Sequence, residues 1–329
     1  MITKVEKITD ESVKEAAEIL LSGGIIGMPT ETVYGLAAVG TIPSAVSEIF
    51  RVKGRPNDNP LIAHVHKDYD INRLVEVEQP YVQKLMELFT PGPLTLVMKS
   101  RRVVCDEATC GGDTLAVRVP SHPGCQKLLR AVDMPIVAPS ANLSKHTSPV
   151  TAEHVYNDLN GKIPLILDGG KCSGGIESTV LDVTGEVPRI LRAGLVTKEM
   201  IENAVGACLI AEHKSGDKVR SPGVKYTHYK PRCDTALYKE SELATAADRY
   251  EKELALGKKP YIMCRNAFKD YFAGKNLLLL GETEEEIAAS LYAALLEGER
   301  KADIIIAIDM PSEKGVYLGI TNRLRKSCG

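Results

Sequence analysis

The chain carries the stretch KGRPNDNP at residues 53–60, which runs directly into the apolar segment LIAHV at residues 61–65. Proline fixes the backbone φ angle and glycine widens its range, so these residues predict a loop of defined shape ahead of a buried strand. Two cations in this loop, Lys53 and Arg55, can hold phosphate or carboxylate as a point charge and as a planar fork of donors. Taken alone, such a loop is more often a solvated basic turn, so its meaning depends on the rest of the chain.

Helical and strand patterns alternate on both sides of this loop, which is typical of an α/β protein. In the first part of the chain, helices are predicted at 10–22, 43–52, 79–89, 123–132 and 197–206, and strands at 25–28, 61–65, 94–98, 114–119, 135–138, 165–167, 178–183 and 189–192. The alternation restarts with strands at 234–238, 260–264, 277–280 and 303–308, helices at 241–256 and 283–298, and a short C-terminal helix. We therefore predict two domains, residues 1–208 and 234–329, joined by a polar segment, residues 209–233, that acts as a linker or a lid.

The composition is that of an ordinary soluble protein. Of the 329 residues, 44% are hydrophobic and 26% are charged, and the formal net charge is −2. This balance argues against a nucleic-acid or membrane surface over the whole chain. The first twenty residues do not resemble a signal peptide, and the longest apolar runs are too short to span a bilayer. The eight cysteines include no Cys-x-x-Cys pair, so we expect reduced thiols, no structural zinc and a cytoplasmic location.

Several familiar catalytic motifs are absent from the sequence, among them Gly-x-x-x-x-Gly-Lys-Ser/Thr, Gly-x-Gly-x-x-Gly, His-Glu-x-x-His and Gly-x-Ser-x-Gly. What remains is a set of short polar clusters beside predicted strand ends. Ligands of open α/β sheets bind outside the carboxyl ends of strands, so we expect these clusters to converge. The clusters comprise Thr30, Thr32, Lys53, Arg55, Asn59, His64, Thr114, Arg118, Ser140, Asn142, Ser178, Thr179 and Arg192.

These residue types suit a polyanion and a small polar ligand bound side by side. Lys53, Arg55 and Arg192 could neutralise phosphates, Arg118 could clamp a carboxylate, and His64 could position or deprotonate an amine. Each cluster alone has an ordinary structural explanation as a turn, a helix cap or a surface cation. No side chain is an obvious covalent nucleophile. Together they favour catalysis by positioning and charge stabilisation, as in phosphoryl or nucleotidyl transfer.

Five ordered blocks of the sequence resemble one enzyme family. They are PTETVYGL at 29–36, Lys-x-Arg at 53–55 with NPLI at 59–62, PGPLT at 91–95, APSAN at 138–142 and ESTV at 177–180. Together these blocks resemble the threonylcarbamoyl-AMP synthases of the YrdC-like fold. The tract SPGVKYTHYKP at 221–231 and the α/β segment after it resemble the long, two-domain form. The one departure is Ala193, where the resemblance leads us to expect proline.

The resemblance implies a YrdC-like twisted mixed sheet with flanking helices and a smaller, Rossmann-like C-terminal α/β domain. It also implies that L-threonine, bicarbonate or CO2, and ATP give threonylcarbamoyl-AMP and pyrophosphate. That product would pass to a tRNA threonylcarbamoyltransferase, and whether tRNA itself binds is left open. Mg²⁺ is expected on the ATP phosphates rather than on protein ligands.

Carried over position by position, the resemblance implies two groups of site residues. Threonine would be held by Thr32, His64, Arg118, Ala138 and Ser178. ATP would be held by Lys53, Arg55, Asn59, Thr114, Ser140, Asn142, Ser148 and Arg192, with Tyr226 and Tyr229 closing over it. Lys53 and Arg55 would be the catalytic pair that stabilises the departing pyrophosphate. Both are expected to face solvent in the cleft.

Two alternatives stay open beside this interpretation. YrdC-like folds have been linked to RNA binding, although the near-neutral charge and the lack of a long basic stripe count against an RNA-binding module without catalysis. A related domain also occurs in carbamoyltransferases of hydrogenase maturation. Those proteins carry a zinc-finger segment, for which this chain has no paired Cys-x-x-Cys.

Overall fold

The structure, a computed structural model, describes residues 2–211 and 229–329. Tyr226, predicted to close over ATP, lies outside the described residues. The strands of the larger, N-terminal domain are β1 (Lys4–Lys7), β2 (Ile26–Met28), β3 (Gly35–Val39), β4 (Ile62–His64), β5 (Val75–Glu76), β6 (Leu94–Ser100), β7 (Thr114–Arg118), β8 (Ile136–Val137), β9 (Leu165–Asp168), β10 (Thr179–Asp182), β11 (Arg189–Arg192) and β12 (Leu209–Ile210). Its helices are α1 (Asp10–Leu21), α2 (Pro43–Lys53), α3 (Tyr81–Phe89), α4 (Asp106–Thr109), α5 (Pro123–Val132), α6 (Ala152–Leu159) and α7 (Lys198–Val205).

These strands form one large sheet in the order β1-β9-β2-β3-β8-β4-β7-β6-β10-β11-β12, and β5 pairs with β6 at the side. Parallel and antiparallel neighbours alternate without a fixed rule, so the sheet is mixed. At its centre β4 runs parallel to β7, which sets His64 opposite Arg118, while β8 runs antiparallel to β4 on the other side. The predicted mixed sheet with flanking helices is confirmed.

Helices cover both faces of this sheet because each face is apolar. On one face, Ala16 and Leu20 of α1 pack with Leu128 of α5 in a buried cluster that includes residues of β2, β3 and β9. On the other face, Ile49 of α2 and Leu85 of α3 belong to a second and larger cluster. A sheet covered on both faces leaves most of its polar side chains at strand ends and in loops.

The C-terminal domain has its own parallel sheet. Its strands are β13 (Asp234–Tyr238), β14 (Pro260–Cys264), β15 (Leu277–Leu279) and β16 (Ile304–Ile308), in the order β13-β16-β14-β15, and its helices are α8 (Leu243–Ala255), α9 (Glu284–Lys301) and α10 (Val316–Cys328). Helix α8 packs on one face and α9 on the other. This confirms the predicted smaller α/β domain.

The larger apolar cluster continues across the contact between the domains. It contains Ile176 and Val196 of the N-terminal domain together with Leu291 of α9 and Ile320 of α10.

Leu209 and Ile210 pair with β11 of the large sheet, just past the predicted domain boundary at residue 208. That boundary stays a prediction. Within residues 2–211 and 229–329, no helix is both long and apolar enough to cross a membrane.

Candidate active site

A cavity lies along β4, between Pro60 and His64. It is lined by ten of the predicted site residues: Arg55, His64, Arg118, Ala138, Ser140, Asn142, Ser148, Ser178, Arg192 and Tyr229. Four others, Thr32, Lys53, Asn59 and Thr114, do not line it. The structure therefore brings most of the predicted residues together around one space.

The strand directions give this cavity two different ends. Because β4 and β7 are parallel, Arg118 lies beside His64 at the carboxyl end of β4. Because β8 is antiparallel to β4, the chain after it carries Ser140 and Asn142 toward Pro60 instead. The clusters meet at one cavity, but Ser140 and Asn142 reach it from the end opposite His64, so a ligand in this cavity would lie along β4.

Arg55 enters the cavity because α2 ends sharply at Gly54. Gly54 adopts a left-handed conformation with φ 61°, which turns the chain directly after the helix. Arg55 Nη2 then donates a hydrogen bond of 3.1 Å to the carbonyl oxygen of Asn59. Burial lowers the pKa of Arg55 to about 10, so the guanidinium still carries its charge at neutral pH.

Asn59 is buried against this arginine, at 1% exposure, although it does not line the cavity. Both its side-chain amide atoms, like Nε of Arg55, lack a hydrogen-bond partner in the part of the chain that the structure describes. A buried amide left unpaired is costly, so its atoms are ready to bind a polar group that enters the site.

Lys53 does not face solvent, and that expectation is wrong. As the last residue of α2 it is only 3% exposed, and its Nζ donates hydrogen bonds of 2.5 Å to the carbonyl oxygens of Ser140 and Asn142. Burial, with Arg55 nearby, moves the pKa of Lys53 well below its usual value. The lysine thus ties the end of α2 to the loop that follows β8.

The loop after β8 is shaped by its own side chains. Ser140 Oγ donates to Asn142 Oδ1 at 2.5 Å, and Asn142 Nδ2 donates to the carbonyl oxygens of Leu143 and His146, both at 2.8 Å. His146 also lines the cavity and was not predicted. The Asn142 amide therefore holds the loop closed around this end of the cavity.

At the other end, Arg118 is buried and held by a partner that sequence reasoning missed. Its Nη2 donates to Glu31 Oε1 at 2.7 Å, and its Nε lies 3.4 Å from the carbonyl oxygen of Gly92. Burial alone would raise the pKa of Glu31. The positive charge and hydrogen bond of Arg118 more than offset this effect, so the pKa of Glu31 lies below its usual value. A guanidinium has five donor hydrogens, so donors remain for a ligand.

His64 lies next to Arg118 and is neutral at physiological pH. Burial, with Arg118 close by, lowers its pKa to about 3. Its Nδ1 lies 3.0 Å from the carbonyl oxygen of Ile62, which can only accept a hydrogen bond. Nδ1 therefore carries the proton, and Nε2 is the acceptor.

Two predicted threonines lie outside the cavity. Thr32 is fully buried, with its hydroxyl 3.0 Å from Thr30 Oγ1, and it is Thr30 that lines the cavity. Thr114 begins β7 opposite Lys99 and lies four residues before Arg118. Thr30 belongs to the polar clusters expected to converge, whereas the resemblance assigned the threonine contact to Thr32.

Glu177 forms a further wall of the cavity. Ser148 Oγ donates to its Oε1 at 2.7 Å, while the next residue, Ser178, accepts 3.1 Å hydrogen bonds from Arg192 at its hydroxyl and its carbonyl oxygen. Burial opposes ionisation of Glu177, but Arg323 and Arg192 outweigh it and lower its pKa to about 2. Glu177 lies in the quoted ESTV block, yet nothing in that block indicated its role.

Gly194 permits this wall to form. A Cβ at this position would lie 2.5 Å from the Thr179 nitrogen and 2.7 Å from the Glu177 carbonyl oxygen, closer than packed atoms approach. The missing side chain lets the strand with Arg192 lie against Ser178.

These residues do not form a metal site among themselves. In the described ranges, no three His, Cys, Asp or Glu side chains cluster to hold an ion. Glu177, which lines the cavity, and Glu31, which holds Arg118, are both paired with arginines.

Comparisons with known proteins show the family to which the chain belongs. Residues 18–194 match the protein family described as Telomere recombination, and residues 196–329 match the family described as Threonylcarbamoyl-AMP synthase, C-terminal domain. The threonylcarbamoyl-AMP synthase of Bacillus subtilis is 38% identical over 100% of this chain and 96% of its own length. The chain belongs to the threonylcarbamoyl-AMP synthase family.

The fold agrees with a solved synthase structure. The crystal structure of Sua5 from Pyrococcus abyssi complexed with L-threonine superposes with a TM-score of 0.90 at 38% identity, covering 99% of this chain and 96% of that one. This confirms the predicted two-domain form and the predicted enzyme class.

A shorter synthase relative matches the N-terminal domain. The Mycobacterium tuberculosis relative, named for the same activity, is 35% identical over 58% of this chain and 88% of its own length. What remains of that relative is too short for a counterpart of residues 234–329. The C-terminal domain is therefore an addition to a unit that also occurs without it.

Proposed function

We propose that this chain makes threonylcarbamoyl-AMP from L-threonine, bicarbonate or CO2, and ATP. Bicarbonate and the threonine amine would give a carbamate and water. A carbamate oxygen would then attack the α-phosphorus of ATP, and pyrophosphate would leave. The observation that carries the proposal is the convergence of Arg55, Arg118 and Arg192 with neutral His64 on one cavity, in a chain of this family.

Threonine would occupy the end of the cavity at Arg118. The guanidinium is oriented by Glu31 and would bind the amino-acid carboxylate. His64 Nε2 would accept a hydrogen bond from the substrate amine or hydroxyl, since its proton is on Nδ1. Ser178 and Ala138 line the same cavity and would complete the threonine site, with Thr32 behind Thr30 as an indirect contributor.

ATP would extend along β4 toward Arg55. Arg55 and Arg192 would neutralise phosphate charge and stabilise the departing pyrophosphate, with Ser140, Asn142, Ser148 and Tyr229 of the cavity wall as further proposed contacts. Asn59 and Thr114, which do not line the cavity, would act indirectly, Asn59 by holding Arg55. Lys53 is buried behind this wall, so its proposed part is to position the carbonyl groups of Ser140 and Asn142 rather than to touch phosphate.

Mg²⁺ would come to the site on the phosphates of ATP. The support is that both carboxylates near the cavity are committed to ion pairs, while magnesium readily keeps phosphate and water ligands. When bound, the ion would supply charge to the leaving group.

The product would pass to a tRNA threonylcarbamoyltransferase, because an acyl adenylate is an activated donor. We also propose that the protein works in the cytoplasm. In support of this, all eight cysteines are unpaired, as is usual in a reducing compartment.

The decisive experiment measures pyrophosphate release from ATP while threonine and bicarbonate are omitted in turn. We expect release only when both are present. Release without threonine, or turnover of carbamoyl phosphate instead, would contradict the proposal. RNA binding without pyrophosphate release would support the binding module.

A matched pair of variants assigns the activity to the cavity. Arg192→Met should lower turnover at least about tenfold, since one phosphate-binding charge is lost. Arg189→Met, at the exposed start of the same strand, should leave turnover close to that of the wild type.

A further inference from the structure

The buried carboxylate of Glu177 receives two of its partners from the C-terminal domain. Tyr292 of α9 places its hydroxyl 3.1 Å from Oε1 and 2.9 Å from Oε2. Arg323 of α10 donates from Nε to Oε2 at 3.1 Å. Both side chains are fully buried, and neither lines the cavity. The two helices therefore reach the cavity wall from behind.

Arg323 also donates hydrogen bonds to the backbone next to the site. Its Nη1 donates to the carbonyl oxygen of Ala193, the residue between Arg192 and Gly194, and to that of Gly319 at 3.1 Å. One guanidinium thus contacts Glu177 on one segment of the wall and Ala193 on the other. The spacing between these two segments, which present Ser178 and Arg192, is set by a side chain of the C-terminal domain.

Several ionisable groups surround Glu177. The cations Arg323 and Lys326 on α10 and Arg192 on β11 interact with its carboxylate, as do the neutral hydroxyls of Tyr292 on α9 and of Tyr229. Tyr229 stacks on Tyr292 with ring centroids 5.3 Å apart, and its carbonyl oxygen accepts from Thr147. A buried carboxylate persists as an ion only while cations accompany it, so removing Arg323 would favour its protonated form.

We propose that the C-terminal domain is a positioning element of the active site, in which Tyr292 and Arg323 hold Glu177 so that Ser148, Ser178 and Arg192 are fixed for ATP and threonine. The inference rests on the proposed function. It assigns a task to a domain that the shorter relative lacks, and it makes Tyr292 and Arg323 positioning residues.

The test compares full-length variants of one helix. Arg323→Met removes the buried cation, whereas Arg325→Met, two residues on, removes an exposed cation that pairs with Asp309 and Glu313 inside the C-terminal domain. We expect Arg323→Met to lower kcat/KM for ATP at least about tenfold and Arg325→Met to change it less than about twofold.

Two further readouts separate positioning from general damage. Arg323→Lys keeps the charge and should recover part of the loss, while Tyr292→Phe should lower kcat/KM about threefold because it removes only hydrogen bonds. Activity of Arg323→Met should also fall more steeply below about pH 6 than that of the wild type, since Glu177 would then take up a proton.

The outcomes are distinguishable from failure of the proposed function. A folded Arg323→Met or Tyr292→Phe protein with wild-type kcat/KM and an unchanged pH profile would overturn the inference. If Arg323→Met does not fold, the kcat/KM of Tyr292→Phe for ATP tests the inference in its place. If the wild-type chain binds ATP but releases no pyrophosphate, the proposed function fails. The ATP affinities of the same variants, measured by titration calorimetry, then decide the positioning role in the same way.

Discussion

Replacing Lys53 with methionine tests whether this lysine supports the site from behind. The variant loses two hydrogen bonds, from Nζ to the carbonyl oxygens of Ser140 and Asn142. Each carbonyl left unpaired costs about 1–3 kcal/mol, which gives about 2–6 kcal/mol for both. The Ser140 carbonyl is only partly buried, and removing a desolvated ammonium is favourable. We therefore expect a net loss of about 2–3 kcal/mol in the free energy of unfolding.

A loss of that size lowers the melting temperature by roughly 3–4 °C, because the unfolding entropy of a 329-residue cooperative unit is about 0.7 kcal/mol/K. The assay is thermal unfolding followed by circular dichroism, together with pyrophosphate release well below the transition. Turnover should fall as well, because the loop of Ser140 and Asn142 is no longer held. The matched control is Arg51→Met, an exposed residue on the same helix that pairs with Glu48. A Lys53→Met protein that melts with this control would refute the supporting role.

Three further predictions concern the charged groups of the cavity. The pKa of Glu177 is lowered to about 2 from 4.5, so its ionisation stabilises the fold by about 3 kcal/mol above pH 4.5. That contribution is lost as the pH falls toward 2. The free energy of unfolding in urea should therefore fall less with acid in Glu177→Gln than in the wild type. The pKa of His64 is lowered to about 3 from 6.5, so the unfolded chain binds the proton more tightly than the folded one. The free energy of unfolding should therefore fall by about 2 kcal/mol between pH 7 and pH 5. His64→Asn should reduce this dependence on pH. Arg118→Lys should raise KM for threonine by roughly 10–100-fold, because lysine cannot bind the threonine carboxylate through two parallel hydrogen bonds. KM for ATP should stay close to that of the wild type. Equal rises in both KM values would contradict the assignment of Arg118 to threonine.

Much of the fold could be predicted because the signals are local. The apolar runs give β11 and α5 at the predicted residues, and Gly54 marks the end of α2 through its own conformational freedom. The missed strands lack one or another part of this signal: β3 is wholly buried, but its glycine and alanines are residues that strands disfavour. Lys4–Lys7 at the sheet edge is mostly exposed, so no apolar alternation marks it.

The site was predictable as a set of residue types, but not in its internal contacts. Burial of Lys53 depends on a loop that starts more than eighty residues later, and no pattern around the lysine reports where that loop folds. The pairing of Glu177 with Arg323 spans 146 positions and ends in a helix without a motif. Such contacts are fixed by packing, which local sequence does not encode.

The apolar cluster shared by the two domains has a thermodynamic consequence. Because Ile176 and Val196 are buried against the same cluster as Leu291 and Ile320, neither domain can lose its structure without exposing surface of the other. The chain should therefore melt in one cooperative transition, and a ligand in the cavity should slow amide exchange in α9 and α10 as well as in the large sheet. The whole chain is therefore expected to unfold as one cooperative unit, although the N-terminal domain also occurs without the C-terminal domain in a shorter relative.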